Sequence, residues 1–479
     1  MTSTHGRKVR GFVAAAVLIA LNLWVTGCAL VTVPGPAVET VPAEPTDPFV
    51  APDSHLVMPT PPPEPLSAEP GQTVVSITFD DGRASQARAA DLMTAHGLPG
   101  TFFVNSGTIG KPDFLSFEDL EVIATSGHEI GGHTLNHRDD LAVIPGDEIR
   151  REICNDRATL LEWGFPVRNF AYPYGPATSE VADMVRECGY NSARGLSDLR
   201  SPHSCDSCDA TENLPPGNPW RTRAPDEAES DWSTTDLQQR VTDAIAVGGW
   251  LQLTFHGLCT TECNNITTPE SVFEEFLTWL AVQKAEGSVL VHTVGDVLGG
   301  PVQPAIPGPV VPPAPAGTNG LVNPGLEEQS DGGPSCWAHG GFGANTPEFS
   351  LVPTAHTGTT ASRLVVRDYV DGDAKLLQTT DLGRCAPSVA PGTTYTIRAW
   401  YTSTAPTAFS VQYRLARGIW VYALSSPKFA PVTQYTEASW TLPPIPDDVT
   451  AVSFGLALAE NGELVTDDYS LIANTEGAP

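Results

Sequence analysis

Ser76-Ile77-Thr78-Phe79-Asp80-Asp81-Gly82 is an apolar run that ends in two adjacent carboxylates and a glycine. From Val74 to Phe79 β-branched residues dominate and the run is short, which marks a buried strand. A strand that ends in Asp-Asp-Gly sets two charges at the rim of a sheet. Side by side they repel, and burying them without a partner is costly. A metal ion would satisfy both. A strand-ending turn, for which Asp and Gly are common, needs no ion. The stretch alone leaves both readings open.

Outward from it, strands and helices alternate over residues 73–300. Strands are expected over 74–79, 101–104, 129–131, 169–172, 191–194, 250–255 and 288–292. Helices are expected over 85–96, 116–126 with Ser116 as N-cap, 147–163, 179–188 and 271–284. This alternation predicts a parallel sheet covered by helices, open or closed into a barrel. Parallel strands present their carboxyl ends on one face. His256, which follows the apolar run Leu251-Gln252-Leu253-Thr254-Phe255, therefore belongs at the same rim as Asp80 and Asp81.

Residues 301–317 form a Pro-rich linker, after which the pattern changes. Over 318–479 short alternating strands, among them 362–366, 394–401, 408–415, 419–424, 438–442 and 451–457, are separated by Gly/Pro/Asn/Asp turns. They predict an all-β sandwich.

The chain has 479 residues, enough for two or three domains. A formal net charge of −30 argues against nucleic acid as a partner. Arg7, Lys8 and Arg10 precede an apolar segment too short for a confident membrane span, followed by Val25-Thr26-Gly27-Cys28. Residues 1–28 resemble a bacterial lipoprotein signal, which implies lipidation of Cys28 and a tether to the membrane of an exported protein; an ordinary signal peptide is the alternative. Residues 29–72 are Pro-rich and read as a semi-extended stalk. Eight cysteines remain beyond Cys28, and export makes disulfides the default. Cys154 with Cys188 and Cys336 with Cys385 are candidate pairs. Cys205, Cys208, Cys259 and Cys263 allow a bridge across the two clusters or a four-thiolate zinc site.

Three further stretches carry chemistry. In His133-Thr134-Leu135-Asn136-His137 the histidines stand at i and i+4, which puts them on one face of a helical turn within reach of one ion. With an Asp they make a two-His, one-carboxylate set that leaves positions open for hydrolysis. Arg168-Asn169-Phe170-Ala171-Tyr172-Pro173-Tyr174-Gly175 is a strand that breaks at Pro173 and turns at Gly175, freeing a backbone N–H for an oxyanion. The third stretch ends in His256.

In order and spacing, Thr78-Phe79-Asp80-Asp81-Gly82, His133-Thr134-x-x-His137, Phe170–Gly175 and Leu253-Thr254-Phe255-His256 resemble the motifs of the polysaccharide deacetylases, carbohydrate esterase family 4. The resemblance covers residues 73–300 and implies a distorted parallel (β/α) barrel. The implied reaction is metal-dependent removal of N-acetyl or O-acetyl groups from sugar polymers. It further implies that Asp81, His133 and His137 hold Zn²⁺ or another divalent ion such as Co²⁺, Mn²⁺ or Ni²⁺. Asp80 would be the general base, the Tyr174 N–H an oxyanion donor, His256 the general acid with a carboxylate nearby, and Leu253 a wall of the acetyl pocket. Two positions depart from the family. Ala171 stands where an Arg usually orients the base, and Arg223, with Arg168 behind it, is the candidate substitute. The family's Asp-x-x-Asp-Trp is matched only at Asp231-Trp232, with Ala228 at its first position.

The last part resembles jelly-roll carbohydrate-binding modules at Asn323–Glu327, Pro391–Tyr395 and Asp467–Leu471. That implies a structural Ca²⁺, for which Glu327 and Asp468 are the candidates. Trp420 and Tyr422 could stack on sugar rings or belong to the core. The sequence thus predicts an exported, metal-dependent deacetylase of an acetylated, GlcNAc-type polysaccharide. A xylan-type O-acetyl esterase and a non-catalytic carbohydrate-binding lipoprotein are the rivals.

Overall fold

The computed structural model describes residues 64–474, apart from 70, 139, 140, 203 and 331. The export signal, Cys28 and most of the first Pro-rich stretch lie outside the described residues.

The first part alternates as its sequence pattern requires. In order it contains β1 (Thr73–Phe79), α1 (Gln86–Ala95), β2 (Gly100–Val104), α2 (Phe117–Thr125), β3 (Glu129–Gly132), α3 (Gly146–Glu162), β4 (Asn169–Ala171), α4 (Ser179–Glu187) and β5 (Ser192–Arg194). There follow α5 (Thr234–Val247), β6 (Gly249–Phe255), β7 (Gly257–Cys259), β8 (Thr267–Pro269), α6 (Glu270–Ala285), β9 (Leu290–Val291) and α7 (Val294–Leu298). The main sheet is parallel, in the order β5-β4-β3-β2-β1-β6. Short β9 pairs with Val74 and Val75 of β1, while β2 pairs with Ile77 to Phe79, so the two share one side of the same strand. Every residue of β1 is buried, as a strand covered on both faces must be. Val75, Ile77 and Phe79 join the core under the helices with Leu253, Phe255, Phe273 and Phe276. Val74 belongs to a second apolar cluster with Phe103, Ala171 and Trp250.

The sheet curls into a half-barrel. Between its β5 and β6 edges runs an irregular segment, bridging Arg194 to Thr222 and Glu212 to Trp250. Helix α5 has no counterpart in the sequence reading. Its sequence is largely polar, and only Leu237, Val241 and Ala244 are buried, a narrow stripe at helical spacing. Ser233 caps it with a reciprocal Asp236 bond, as Ser116 and Asp119 cap α2.

The last part contains β10 (Gln329–Ser330), β11 (Gly333–Pro334), β12 (Trp337–Phe342), β13 (Thr346–Val352), β14 (Ala361–Arg367), β15 (Asp373–Gln378) and β16 (Tyr395–Ser403). It continues with β17 (Thr407–Leu415), β18 (Trp420–Ser425), β19 (Val432–Thr441), β20 (Val449–Leu458) and β21 (Gly462–Ala473). Two five-stranded antiparallel sheets, β12-β15-β20-β17-β18 and β13-β14-β21-β16-β19, enclose a separate core. This is the expected sandwich.

Among the described residues four disulfides are formed: Cys154–Cys188, Cys205–Cys208, Cys259–Cys263 and Cys336–Cys385. The first and last match the expected pairs. The middle two correct the sequence reading, because each cluster closes on itself, which leaves neither a cross-cluster staple nor a four-thiolate zinc site. The second Pro-rich segment is also not a loose connector. It lies along α3, where Arg157 donates to the carbonyls of Gln303 at 2.8 Å and Pro304 at 3.0 Å, and Asn155 Oδ1 accepts from Gly308 N–H at 2.8 Å.

Candidate metal centre and active site

The carboxyl ends of β1, β3, β4, β5 and β6 meet at one rim. Asp80 N–H donates to the Phe255 carbonyl at 2.9 Å, continuing the β1–β6 ladder past the end of both strands. Asp81 then takes a left-handed φ of 75°, which an Asp tolerates better than a branched residue. The two carboxylates have separate partners. Asp81 Oδ1 lies 3.5 Å from His133 Nε2 and 3.2 Å from His137 Nε2. Asp80 is ion-paired with Arg194, and both side chains are 1% exposed. Gln86 ties the strand ends together by donating to the carbonyls of Asp80 and His256.

His133 and His137 converge, but not on a helical turn. They follow β3 in a loop where Thr134 has φ 70° and His137 φ 48°. This corrects the i, i+4 helical expectation: two left-handed residues fold the loop back, and the pair is brought to 4.9 Å between ring centres. His133 Nδ1 lies 2.8 Å from the Ala171 carbonyl, which leaves Nε2 facing Asp81. Arg83 donates to Asp81 Oδ2 at 3.1 and 3.3 Å. Burial pushes the Asp81 carboxyl up, but the imidazoles of His133 and His137 that face it more than offset this and hold it well below the usual carboxylate range.

The donor atoms of Asp81, His133 and His137 lie within 4.8 Å of one another, and this is the one such group of three or more among the described residues. Asp81 Oδ1 is buried without a hydrogen-bond partner. An orphaned carboxylate oxygen between two imidazoles with Nε2 turned inward is a donor set that fits a divalent ion. Asp80 Oδ1 and His256 Nδ1 are also buried without a partner.

The remaining candidates fall in several places. The Tyr174 backbone has φ 59°, and its ring meets His137 edge-on at 5.0 Å. Beside it opens a cavity of about 260 Å³ lined by Tyr172, Tyr174, Asp198 and Arg221 among others. Arg223 is not at Asp80: it bonds Glu212 at 3.2 Å and Asp209 at 2.9 Å. Arg168 precedes β4, at the amino ends of the strands, and donates to the Gly300 carbonyl. Arg194 takes the place given to them. It ends β5, and the rule that parallel strands end at one rim was signal enough to find it. Leu253 is 2% exposed and packs in the core with Phe255 and Phe273. Among the described residues no carboxylate bonds His256 Nδ1, and Ala228, buried, donates its N–H to the Thr254 carbonyl.

In the sandwich, Trp420 is tied inward, its Nε1 donating to the Asp381 carbonyl at 3.2 Å. Tyr422 is 63% exposed. Glu327 accepts from the backbone of Thr359 and Thr360, and Asp468 bonds Thr357 and His356. Both calcium candidates are therefore engaged by hydrogen bonds within the sandwich.

Residues 67–193 match the sequence profile of the polysaccharide deacetylase family. The chain is 27% identical over 124 residues to the peptidoglycan-N-acetylglucosamine deacetylase of Bacillus cereus, covering 25% of this chain and 55% of the relative. It is 30% identical over 123 residues to a chitooligosaccharide deacetylase of Azorhizobium caulinodans, covering 25% and 56%. The chain thus spans about half the length of these curated relatives. Among solved structures, a family 4 carbohydrate esterase from Streptomyces lividans in complex with acetate aligns with a TM-score of 0.32 and 15% identity, over 48% of this chain and 98% of that one. The matched residues 67–193 hold Asp80, Asp81, His133 and His137, so the part of the chain that builds the candidate metal centre is the part that is similar to polysaccharide deacetylases.

Proposed function

We propose that the protein hydrolyses acetyl groups from an acetylated carbohydrate polymer, with N-acetyl groups of a GlcNAc-type chain as the first candidate. The observation that carries this reading is the buried Asp81–His133–His137 set beside a separate, Arg-paired Asp80. Asp81, His133 and His137 would hold the ion, Zn²⁺ first among the divalent metals. Such an ion polarises the acetyl carbonyl and acidifies the attacking water. Asp80, held by Arg194, takes the proton from that water. The Tyr174 N–H faces the developing oxyanion. His256 protonates the leaving group. The cavity beside Tyr174 has room for a neighbouring sugar.

One observation favours O-acetyl ester cleavage as a second reading. His256 Nδ1 has no carboxylate partner. An amine leaves only when protonated, whereas an alkoxide depends less on a proton donor, so an imidazole that no partner orients through Nδ1 suits an ester better. Acetate release from N-acetylated and O-acetylated oligosaccharides, with added Zn²⁺ and after chelation, separates the two. No acetate from either class under both conditions would instead favour a binding protein. Tyr422 is an exposed aromatic through which the sandwich would contact the polymer. The four disulfides suit an exported location; the lipid tether rests on the resemblance of residues 1–28 alone.

A further inference from the structure

Beyond the contact of His133 Nδ1 with the Ala171 carbonyl, the loop that carries His133 and His137 is held from three sides. Helix α3 is the first. Asp156 Oδ2 accepts from His133 N–H at 3.1 Å, Glu152 Oε2 accepts from Asn136 N–H at 2.9 Å, and Leu135 N–H donates to the Glu152 carbonyl at 2.9 Å. The segment after β2 is the second. Asn105 Nδ2 donates to the carbonyls of His133 and Thr134, and Gly107 N–H donates to the Leu135 carbonyl at 2.9 Å.

The third side belongs to the sandwich. In the turn between β17 and β18, Arg417 Nη1 donates to the Ser106 carbonyl at 3.1 Å, and its guanidinium stands 6.0 Å from the Trp163 ring centre. Gly418, with φ 87°, approaches so closely that a Cβ there would lie 2.9 Å from Leu135 Cδ1 and 3.1 Å from Leu382 Cδ2. Leu135 stands between the two histidines in sequence. Ser106 N–H donates at 2.8 Å to Asp156 Oδ1, the carboxylate whose other oxygen holds His133. Both contacts of the turn therefore reach the histidines through one residue or one carboxylate. The seam behind them is fixed as well: Leu382 N–H donates to Glu148, Glu148 pairs with Arg151 at 2.9 Å, and Arg151 Nε donates to the Pro309 carbonyl at 2.8 Å.

We infer that the β17–β18 turn of the sandwich is a working part of the metal centre, with Arg417 and Gly418 as positioning residues for His133 and His137. The sandwich then has a second role beside any sugar binding: without its turn, the loop loses one of three supports. The inference rests on the proposed metal site. Outer-shell contacts of this kind change metal affinity by ~10–100-fold.

The test measures Zn²⁺ affinity of the full chain, stripped by chelation, in competition with a chromophoric chelator, together with hydrogen exchange of the amides over residues 133–137. Arg417→Ala and Gly418→Ala are expected to weaken Zn²⁺ binding by about tenfold and to speed exchange in the loop. Arg417→Lys, which keeps a donor for the Ser106 carbonyl, is expected to recover most of the affinity. Arg398→Ala, which removes a sandwich arginine paired with Glu437, is the control and should bind as the wild type does. Wild-type affinity and exchange in both turn variants would overturn the inference. So would equal losses in Arg398→Ala, which would mean general destabilisation of the sandwich. A wild-type chain that takes up no divalent ion would overturn the metal reading itself, and that result is distinct from intact binding that ignores the turn.

Discussion

Asp80 and Asp81 are neighbours in sequence with different fates, and the difference is made by which cation or imidazole each one meets. Asp81 turns to two histidines; Asp80 meets Arg194, with both partners 1% exposed. Breaking a buried pair by deleting one member leaves an uncompensated charge, a loss of about 3–5 kcal/mol. Arg194→Ala should therefore lower stability by that order, and the Asp80→Asn/Arg194→Ala double variant should regain part of it in a denaturant double-mutant cycle. Asp80→Asn alone should reduce acetate release by ~10²–10⁴ while bound metal stays at the wild-type level, if Asp80 is the base proposed above and lies outside the Asp81–His133–His137 set. Loss of metal in Asp80→Asn would reverse that division of roles. The convergence of Asp81, His133 and His137 was legible because their residue types and order are specific. Arg223 does not reach Asp80 for a physical reason: it sits where Glu212 and Asp209 neutralise it, away from the strand ends that carry the site.

At the scale of elements, the strands and most helices followed from periodicity and caps. The exceptions were those whose stability comes from few contacts or from unusual dihedrals. Helix α5 carries only three buried apolar residues, and the histidine loop needs left-handed Thr134 and His137 that no spacing rule anticipates. The join between α2 and β3 offers a sharper test. His128, 6% exposed, accepts from Gly100 N–H through Nδ1 at 3.0 Å and lies 3.0 Å from Thr94 Oγ1 through Nε2. Burial pushes its imidazole down to about 4. The neutral ring is the one that fits, so its contribution is complete above the unfolded value of about 6.5 and is lost as pH falls from there toward about 4. Unfolding free energy measured by denaturant should therefore decline across that window by an amount on the order of 3 kcal/mol from this residue. His128→Gln should flatten that part of the profile. An unchanged slope in the variant would place the acid sensitivity elsewhere.

At the scale of the whole molecule, two separate cores are joined by a Pro-rich segment laid along α3 and by the seam that ends in the β17–β18 turn. A formal net charge of −30 on 479 residues works against compactness through self-repulsion. Covalent closure opposes it unequally. Cys154–Cys188 spans 34 residues and joins α3 to the end of α4, while Cys336–Cys385 spans 49 residues within the sandwich. Cys205–Cys208 and Cys259–Cys263 span only 3 and 4 residues. In the chain-entropy account the long closures each contribute about 4 kcal/mol and the short ones about 2 kcal/mol. Cys154 also packs in the core beside Ile153 and Cys188, on the helix whose Glu152 and Asp156 hold the histidine loop. Replacing Cys154 and Cys188 together by serine should therefore lower the denaturation midpoint and weaken Zn²⁺ uptake. The same replacement of Cys205 and Cys208 should lower the midpoint less and leave Zn²⁺ uptake at the wild-type level. Equal effects of the two pairs on both measurements would show that the bridges act through general stability alone and not through α3.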